Sequence, residues 1–299
     1  MQAPKYGPQG KRMLSGIIAS GFNIFSRIGV QLLIVPILFS NWSAELVGTW
    51  LLLSSIPSYL GLTASGFGSA GGNLAIAAEK DGDRALAQAS FWATWLLVSV
   101  TNLAIVIAFI AASGWIVSAD LFQIDIVPAS ELQAAIYWQC AYVLLSVQAA
   151  ALVLPYRHGG QYPRNIFLGS LQSTAEVVAT AIVVMQTERL DLMAMALAGV
   201  RLAFLVVIFA YGYRASPGLF GWPPASRIRE ALAAIWRPSL AFMAAPLVFG
   251  FNLQGYNLLV GAFFGPAALA SFVATRIFVR VLDILTNFAY SMQFFELPY

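Results

Sequence analysis

Uninterrupted apolar runs constrain this chain more than any other feature. LLIVPILF at 32–39 and LAIVIAFIAA at 103–112 are two of many. Of the 299 residues, 60% are hydrophobic and only 10% charged, and the mean hydropathy is +0.77. A soluble domain carries about 25% charged and about 45–50% apolar residues. A chain of this size could not hide the excess from water, so its solvent is lipid. That excludes a cytosolic enzyme, a secreted domain and a disordered regulator. In lipid the backbone must satisfy its own hydrogen bonds, as helices or closed barrels. Barrel strands alternate apolar and polar residues, and these runs do not. The expected fold class is therefore all-α, a polytopic integral membrane protein. The net charge of +3 comes with no basic stripe or nucleic-acid motif, so no nucleic-acid partner is expected. Cys140 stands alone, which rules out an intrachain disulfide and a thiolate metal cluster; no metal or cofactor is expected.

A crossing helix needs roughly 20 mainly apolar residues. Eight such spans are legible, at 14–40, 46–74, 90–117, 132–154, 166–186, 192–213, 239–264 and 267–291. The loops between them divide the basic residues unequally. Lys5, Lys11, Arg12, Lys80, Arg84, Arg157, Arg164, Arg214, Arg227, Arg229 and Arg237 fall on one side, and Arg189 alone on the other. By the positive-inside rule the N-terminus is cytoplasmic.

This arrangement divides the chain into a cytoplasmic tail at 1–13, a six-helix lobe at 14–213, a connector at 214–238, and the first hairpin of a second lobe at 239–299. The connector begins Pro-rich, as a linker, and its basic end reads as an interfacial helix. VPILFSNWSAELVGTW (35–50) and LVGAFFGPAALASFVATR (259–276) share the order apolar run, short break, next span. Repeats of this kind mark transporters built from pseudo-symmetric halves. Six spans against two, with the chain stopping at ELPY after the last, predict truncation relative to a two-lobe transporter.

Charges inside hydrocarbon are expensive and mark function. Asn23, Arg27 and Gln31 recur at i, i+4, i+8 and form one polar stripe. Arg27 lies roughly 20 Å into the first span, at 1.5 Å per residue. Arg276, Arg280 and Asp283 form a second stripe on the last span, while Arg201 sits mid-span in the sixth and Glu176 mid-span in the fifth. Four arginines against two acids leave a surplus of two positive charges. Glu176 and Asp283 either pair internally, with Arg201 and Arg280, or couple transport to an ion. The guanidinium fork suits phosphate, so Arg27, Arg201, Arg276 and Arg280, with Asn23 and Gln31, are the candidates to line a cationic cavity for an anionic substrate.

Other motifs carry less. GFGSAG at 66–71 fits a dinucleotide fingerprint but lies inside an apolar span with no preceding strand; its glycines fit close helix packing better. GPQGKR lacks Walker spacing. His158, beside Arg157, reads as a solvated loop histidine, and the Asn41-Trp42-Ser43 sequon as chance.

NIFSRIGVQLLIVPILF (23–39) followed by ELVGTWLLLSSIPSYLGLTASGFGSA (45–70) resembles the opening two spans of the polysaccharide-flippase, or O-antigen translocase, family. That family belongs to the multidrug/oligosaccharidyl-lipid/polysaccharide exporter superfamily. AFFGPAALASFVATRIF (262–278) is similar to the hairpin that opens the family's second lobe. The family's acid before the glycine cluster and basic residue after it are replaced here by Ala64 and Asn73. The resemblance implies a nonenzymatic flippase of the bacterial inner membrane, moving a polyprenyl-diphosphate-linked oligosaccharide between leaflets by alternating access. It places the family's cavity arginine at Arg27 and its charged second-lobe face at Arg276, Arg280 and Asp283. Its implied partners are the lipid-linked oligosaccharide, membrane lipids and other polysaccharide-assembly membrane proteins. A cation-coupled multidrug exporter would favour acids in the cavity, and a glycan polymerase or ligase would need a long outer loop.

Overall fold

The computed structural model describes residues 21, 22, 26, 28, 29, 32–118 and 124–293, with the backbone alone at 56–65, 115–118, 245, 249, 253 and most of 277–293. Every regular element among them is helical. In chain order these are α1 (Leu32–Asn41), α2 (Ala44–Lys80), α3 (Arg84–Ser118), α4 (Ala129–Ala151), α5 (Val153–His158), α6 (Tyr162–Gln186), α7 (Leu190–Ala215), α8 (Ala225–Gly250) and α9 (Tyr256–Gln293). A 3₁₀ turn at Pro217–Phe220 precedes α8, and a π-turn at Phe251–Gly255 joins α8 to α9. Six of the described helical stretches are long and apolar enough to cross a membrane: Arg84–Gly114, Ala129–His158, Tyr162–Gln186, Leu190–Ala215, Ala225–Val248 and Tyr256–Arg276.

The last of these is not straight. Gly265 has φ +80°, a conformation open to glycine because it has no Cβ, and Pro266 begins the next helical arm without needing an N–H donor. Arg276 Nη2 lies 2.9 Å from the carbonyl of Asn252, 24 residues back, where a straight helix would separate them by about 36 Å. The chain therefore reverses at Gly265, between the two spans read at 239–264 and 267–291.

Side-chain bonds define the two ends of the bundle. At one end Glu79 meets His158 (2.8 Å), Arg227 meets Asp83 (2.9 Å), and Gln88 donates to the Gly218 carbonyl (2.7 Å). Asp83 acts twice there, since its Oδ1 also caps α3 by accepting from the Leu86 amide. Lys80, Arg84, Arg157, Arg164, Arg214 and Arg229 sit in or beside the turns of this basic end. At the opposite end Trp42 donates to the Thr187 carbonyl (2.9 Å), and Glu131 accepts from the Leu190 amide (2.8 Å). Arg189 lies at that end, fork-bonded to Asp191 through Nε and Nη2. Those bonds raise its pKa above the ordinary arginine value.

His158 differs from the solvated loop residue expected. Its Nε2 faces Glu79 and its Nδ1 faces Ser216 Oγ at 2.9 Å, because the ends of α2, α5 and α7 converge there. A ring of aromatic residues, Phe91, Trp92, Trp95, Phe209, Phe220 and Trp222, clusters near the same end. Trp and Tyr rings favour the membrane–water boundary, where one side is apolar and the other wet.

The segment 225–237, which reads as a surface helix, runs without interruption into Gly250 with Pro238 inside. Ala231, Ile235 and Ser239 are fully buried, at the i, i+4, i+8 spacing of one packed stripe. They lie on α2 and α3 beside Phe67, Ala89 and Ala93. From Arg227 against Asp83 to Pro266 against Gly48, α8 and the first arm of α9 follow α2 antiparallel over its whole length. The contact needs glycine: a Cβ at Gly48 would fall 1.8 Å from the Pro266 carbonyl oxygen, and one at Gly66 2.1 Å from Met243. At Gly71 the intruding atom is Thr94 Oγ1, at 1.7 Å.

These contacts yield a direct test. Gly48→Ala must displace backbone, and overpacking of this kind costs about 1–3 kcal/mol. Gly169→Ala on α6 meets nothing within 4 Å and gains up to about 1 kcal/mol of helix propensity. Thermal unfolding in detergent is expected to show a lower midpoint for the first and an equal or higher one for the second.

Candidate functional site

Arg201 lies mid-helix on α7, 11 residues past Leu190 and so roughly 17 Å from that end. Its Nη2 is 2.7 Å from Glu176 Oε1 on α6, and both side chains are mostly buried, at 19% and 16% exposure. Gln172, one turn before Glu176, donates to the same carboxylate at 3.1 Å. Tyr142 of α4 supplies a third side. Its hydroxyl donates to Glu176 Oε2 at 3.2 Å and accepts from Arg201 Nη2, while the guanidinium carbon stands 4.5 Å over its ring. Three helices thus converge on one charge pair, through residues that each carry a polar tip on an apolar body.

The pair explains why two charges persist in an apolar bundle. An isolated charge there would cost several kcal/mol, and an opposite charge with added hydrogen bonds repays most of it. One donor remains over. Arg201 Nε is buried and has no hydrogen-bond partner among the described residues. An orphan donor beside an ion pair is a natural place for a water or a substrate oxygen.

Of the two internal pairings considered, Glu176 with Arg201 is present in the structure. Arg280 and Asp283 lie on α9 where only backbone is described, and Asn23, Arg27 and Gln31 lie outside the described residues. The first span is represented near there by Phe22, whose ring meets that of Phe167 in a tilted contact at 5.5 Å between centroids, and by Ser26, 3.4 Å from Thr174 Oγ1 on α6. With Arg201 paired to Glu176, the surplus of two read in the sequence rests on Arg27, Arg276, Arg280 and Asp283, three positive charges against one negative. Arg237, read there as a connector residue, lies within the apolar helix Ala225–Val248.

Arg276 occupies a different setting from Arg201. It donates to the Asn252 carbonyl inside the π-turn, and its guanidinium faces Tyr256 at 5.5 Å and Phe272 at 5.7 Å. A π-turn shifts the backbone ladder by one residue and exposes carbonyls, which is why such turns recur at functional sites. The structure does not join Arg276 to the Arg201 pair by any described bond.

Tyr142 was not singled out in sequence. Its signal is modest: one of two hydroxyls, with Ser146, in QCAYVLLSVQ, a span that also carries Gln139 and Gln148. Gln148 likewise binds Trp95 and Ser99 of α3, a polar clasp between helices of the kind used in lipid. Among the described residues no group of three or more His, Cys, Asp or Glu side chains could hold a metal. No family profile, curated protein or solved structure matches this chain.

The network makes a measurable claim. Removing one member of a buried pair strands the other charge, at about 3–5 kcal/mol, whereas removing both relieves much of that cost. Glu176→Gln and Arg201→Gln are each expected to lower the detergent unfolding midpoint more than the double variant does. Additive losses would show that the pair contributes no coupling.

Proposed function

We propose that this chain is a polysaccharide flippase, moving a polyprenyl-diphosphate-linked oligosaccharide such as an O-antigen or exopolysaccharide precursor from the inner to the outer leaflet of a bacterial inner membrane. In this reading eight helices cross the bilayer, six in a first lobe and two opening a second. The basic end faces the cytoplasm, and the lobes rock between inward- and outward-open states without covalent chemistry. The observation that carries the reading is the location of the surplus positive charge. In the sequence it falls on the first and last spans, at Arg27, Arg276, Arg280 and Asp283, while Arg201 is paired with Glu176. A diphosphate carries the matching negative charge, and arginine forks bind it bidentately. Arg276 is fixed on the hairpin of α9 by a π-turn carbonyl and two aromatic faces, which would hold its guanidinium in place for a phosphate. The resemblance of residues 23–39 and 45–70 to the flippase family supports the same substrate class.

Thermal stability of the detergent-purified chain tests this. A ligand that binds only the folded state stabilises it by about 2.7 kcal/mol at 100 times its Kd. A polyprenyl diphosphate saccharide is expected to raise the unfolding midpoint of the wild type and to lose that effect in Arg27→Ala and Arg276→Ala. Stabilisation by a lipophilic cation instead would assign the chain to cation-coupled drug export.

A further inference from the structure

A cavity of about 250 Å³ lies at the basic end, away from the Arg201 pair, where α2, α3, α5 and the first turn of α6 meet. Its polar lining comes from Ser69 on α2, Thr94 on α3, Arg157 on α5 and Asn165 on α6, and its apolar wall from Ala150, Val153 and Leu154. The space exists because α2 presents small residues there. Gly68 would meet nothing within 4 Å if it carried a Cβ, and a Cβ at Gly72 would lie 3.6 Å from Arg157 Nη1. The guanidinium thus lies against the bare face of α2, steadied on its other side by the Tyr162 ring at 5.3 Å.

The donors around this cavity are unspent. Among the described residues neither the Arg157 guanidinium, the Ser69 hydroxyl nor the Asn165 side-chain amide has a hydrogen-bond or ion-pair partner. Neighbouring charged groups differ. Arg227 is bound by Asp83 and Glu230, Arg164 donates to Gln161, and Glu79 is engaged by His158. One unneutralised guanidinium and two neutral donors facing one pocket form a receptor for an anion with several oxygens.

Depth in the bilayer narrows the anion further. At 37 residues, α2 is about 55 Å long, exceeding the hydrocarbon core of about 30 Å by roughly 12 Å at each end. Gly72 stands eight residues before Lys80, about 12 Å from that end, so the cavity opens at the boundary where lipid phosphates lie. Its volume is below the usual small-ligand range of about 300–1,000 Å³, so it takes a headgroup and leaves the acyl chains outside.

We propose that this cavity is a binding site for the phosphate of an anionic lipid headgroup, held by Arg157 with Ser69 and Asn165. The site is separate from the cationic cavity of the flippase reading and stands or falls without it.

Native mass spectrometry of the full chain in detergent tests the assignment. It would be titrated with dioleoylphosphatidylglycerol, dioleoylphosphatidylcholine and inorganic phosphate. The expected result is one tight phosphatidylglycerol, with affinity about tenfold or more lower in Arg157→Ala, the effect of losing a charged hydrogen-bond partner. Gly68→Leu fills the cavity without touching Arg157 and is expected to block the same lipid, and both variants must remain monodisperse with an unchanged unfolding midpoint. Arg164→Ala removes an equal charge at the same end and is expected to leave binding intact. Equal loss in Arg157→Ala and Arg164→Ala, or none in Arg157→Ala and Gly68→Leu, overturns the site. Inorganic phosphate or phosphatidylcholine binding as tightly as phosphatidylglycerol overturns the lipid assignment, in the first case for a soluble anion and in the second for any phospholipid.

Discussion

The approach of α2 to the rod formed by α8 and the first arm of α9 is the contact on which the rest of the structure depends. Two helices nearly 40 residues long run antiparallel, with backbone against backbone at Gly48 and backbone against side chain at Gly66 and Gly261. In lipid no hydrophobic force draws helices together, so dispersion across close surfaces must do it. Small residues permit that closeness, and α3 packs on both members of the pair while α4 packs on α2. On one side α3 and α4 build the buried cluster around Phe67, Ala93 and Val147. Near the opposite end Trp42, Trp50 and Leu46 join α4 and α7 in another.

Much of this was legible in the residues. Apolar run length identified the helices and left a break between 264 and 267, where the structure turns the chain at Gly265, φ +80°, and Pro266. The glycine cluster at 66–72 read correctly as packing surface at Gly66 and Gly71. The continuity of α8 was harder to see. Arg227, Arg229, Arg237 and two prolines resemble a surface connector, yet the buried stripe of Ala231, Ile235 and Ser239 is made of small or neutral residues whose value appears only once α2 and α3 are beside them. Periodicity tells that a face is apolar and not what will cover it.

The site was legible in part for a related reason. Arginines and acids within spans are conspicuous, so Arg201 and Glu176 stood out. Their pairing was one of two alternatives open in the sequence, and the register of α6 against α7 decides it. Gln172, one turn before Glu176, is legible beside it, whereas Tyr142, which completes the network, resembles an ordinary residue of an apolar helix. Their polarity counts here because the pair they surround has little water to turn to.

The same pair has an electrical consequence. Moving one elementary charge through the full membrane potential involves work of about 2.3 kcal/mol per 100 mV. Glu176 and Arg201 sit on adjacent helices 2.7 Å apart and move as one neutral dipole. Any displacement of α6 and α7 together along the membrane normal therefore transfers no net charge at this position, and the resting voltage neither drives nor resists it. Sensitivity to voltage, if the protein has it, must originate in groups outside this pair.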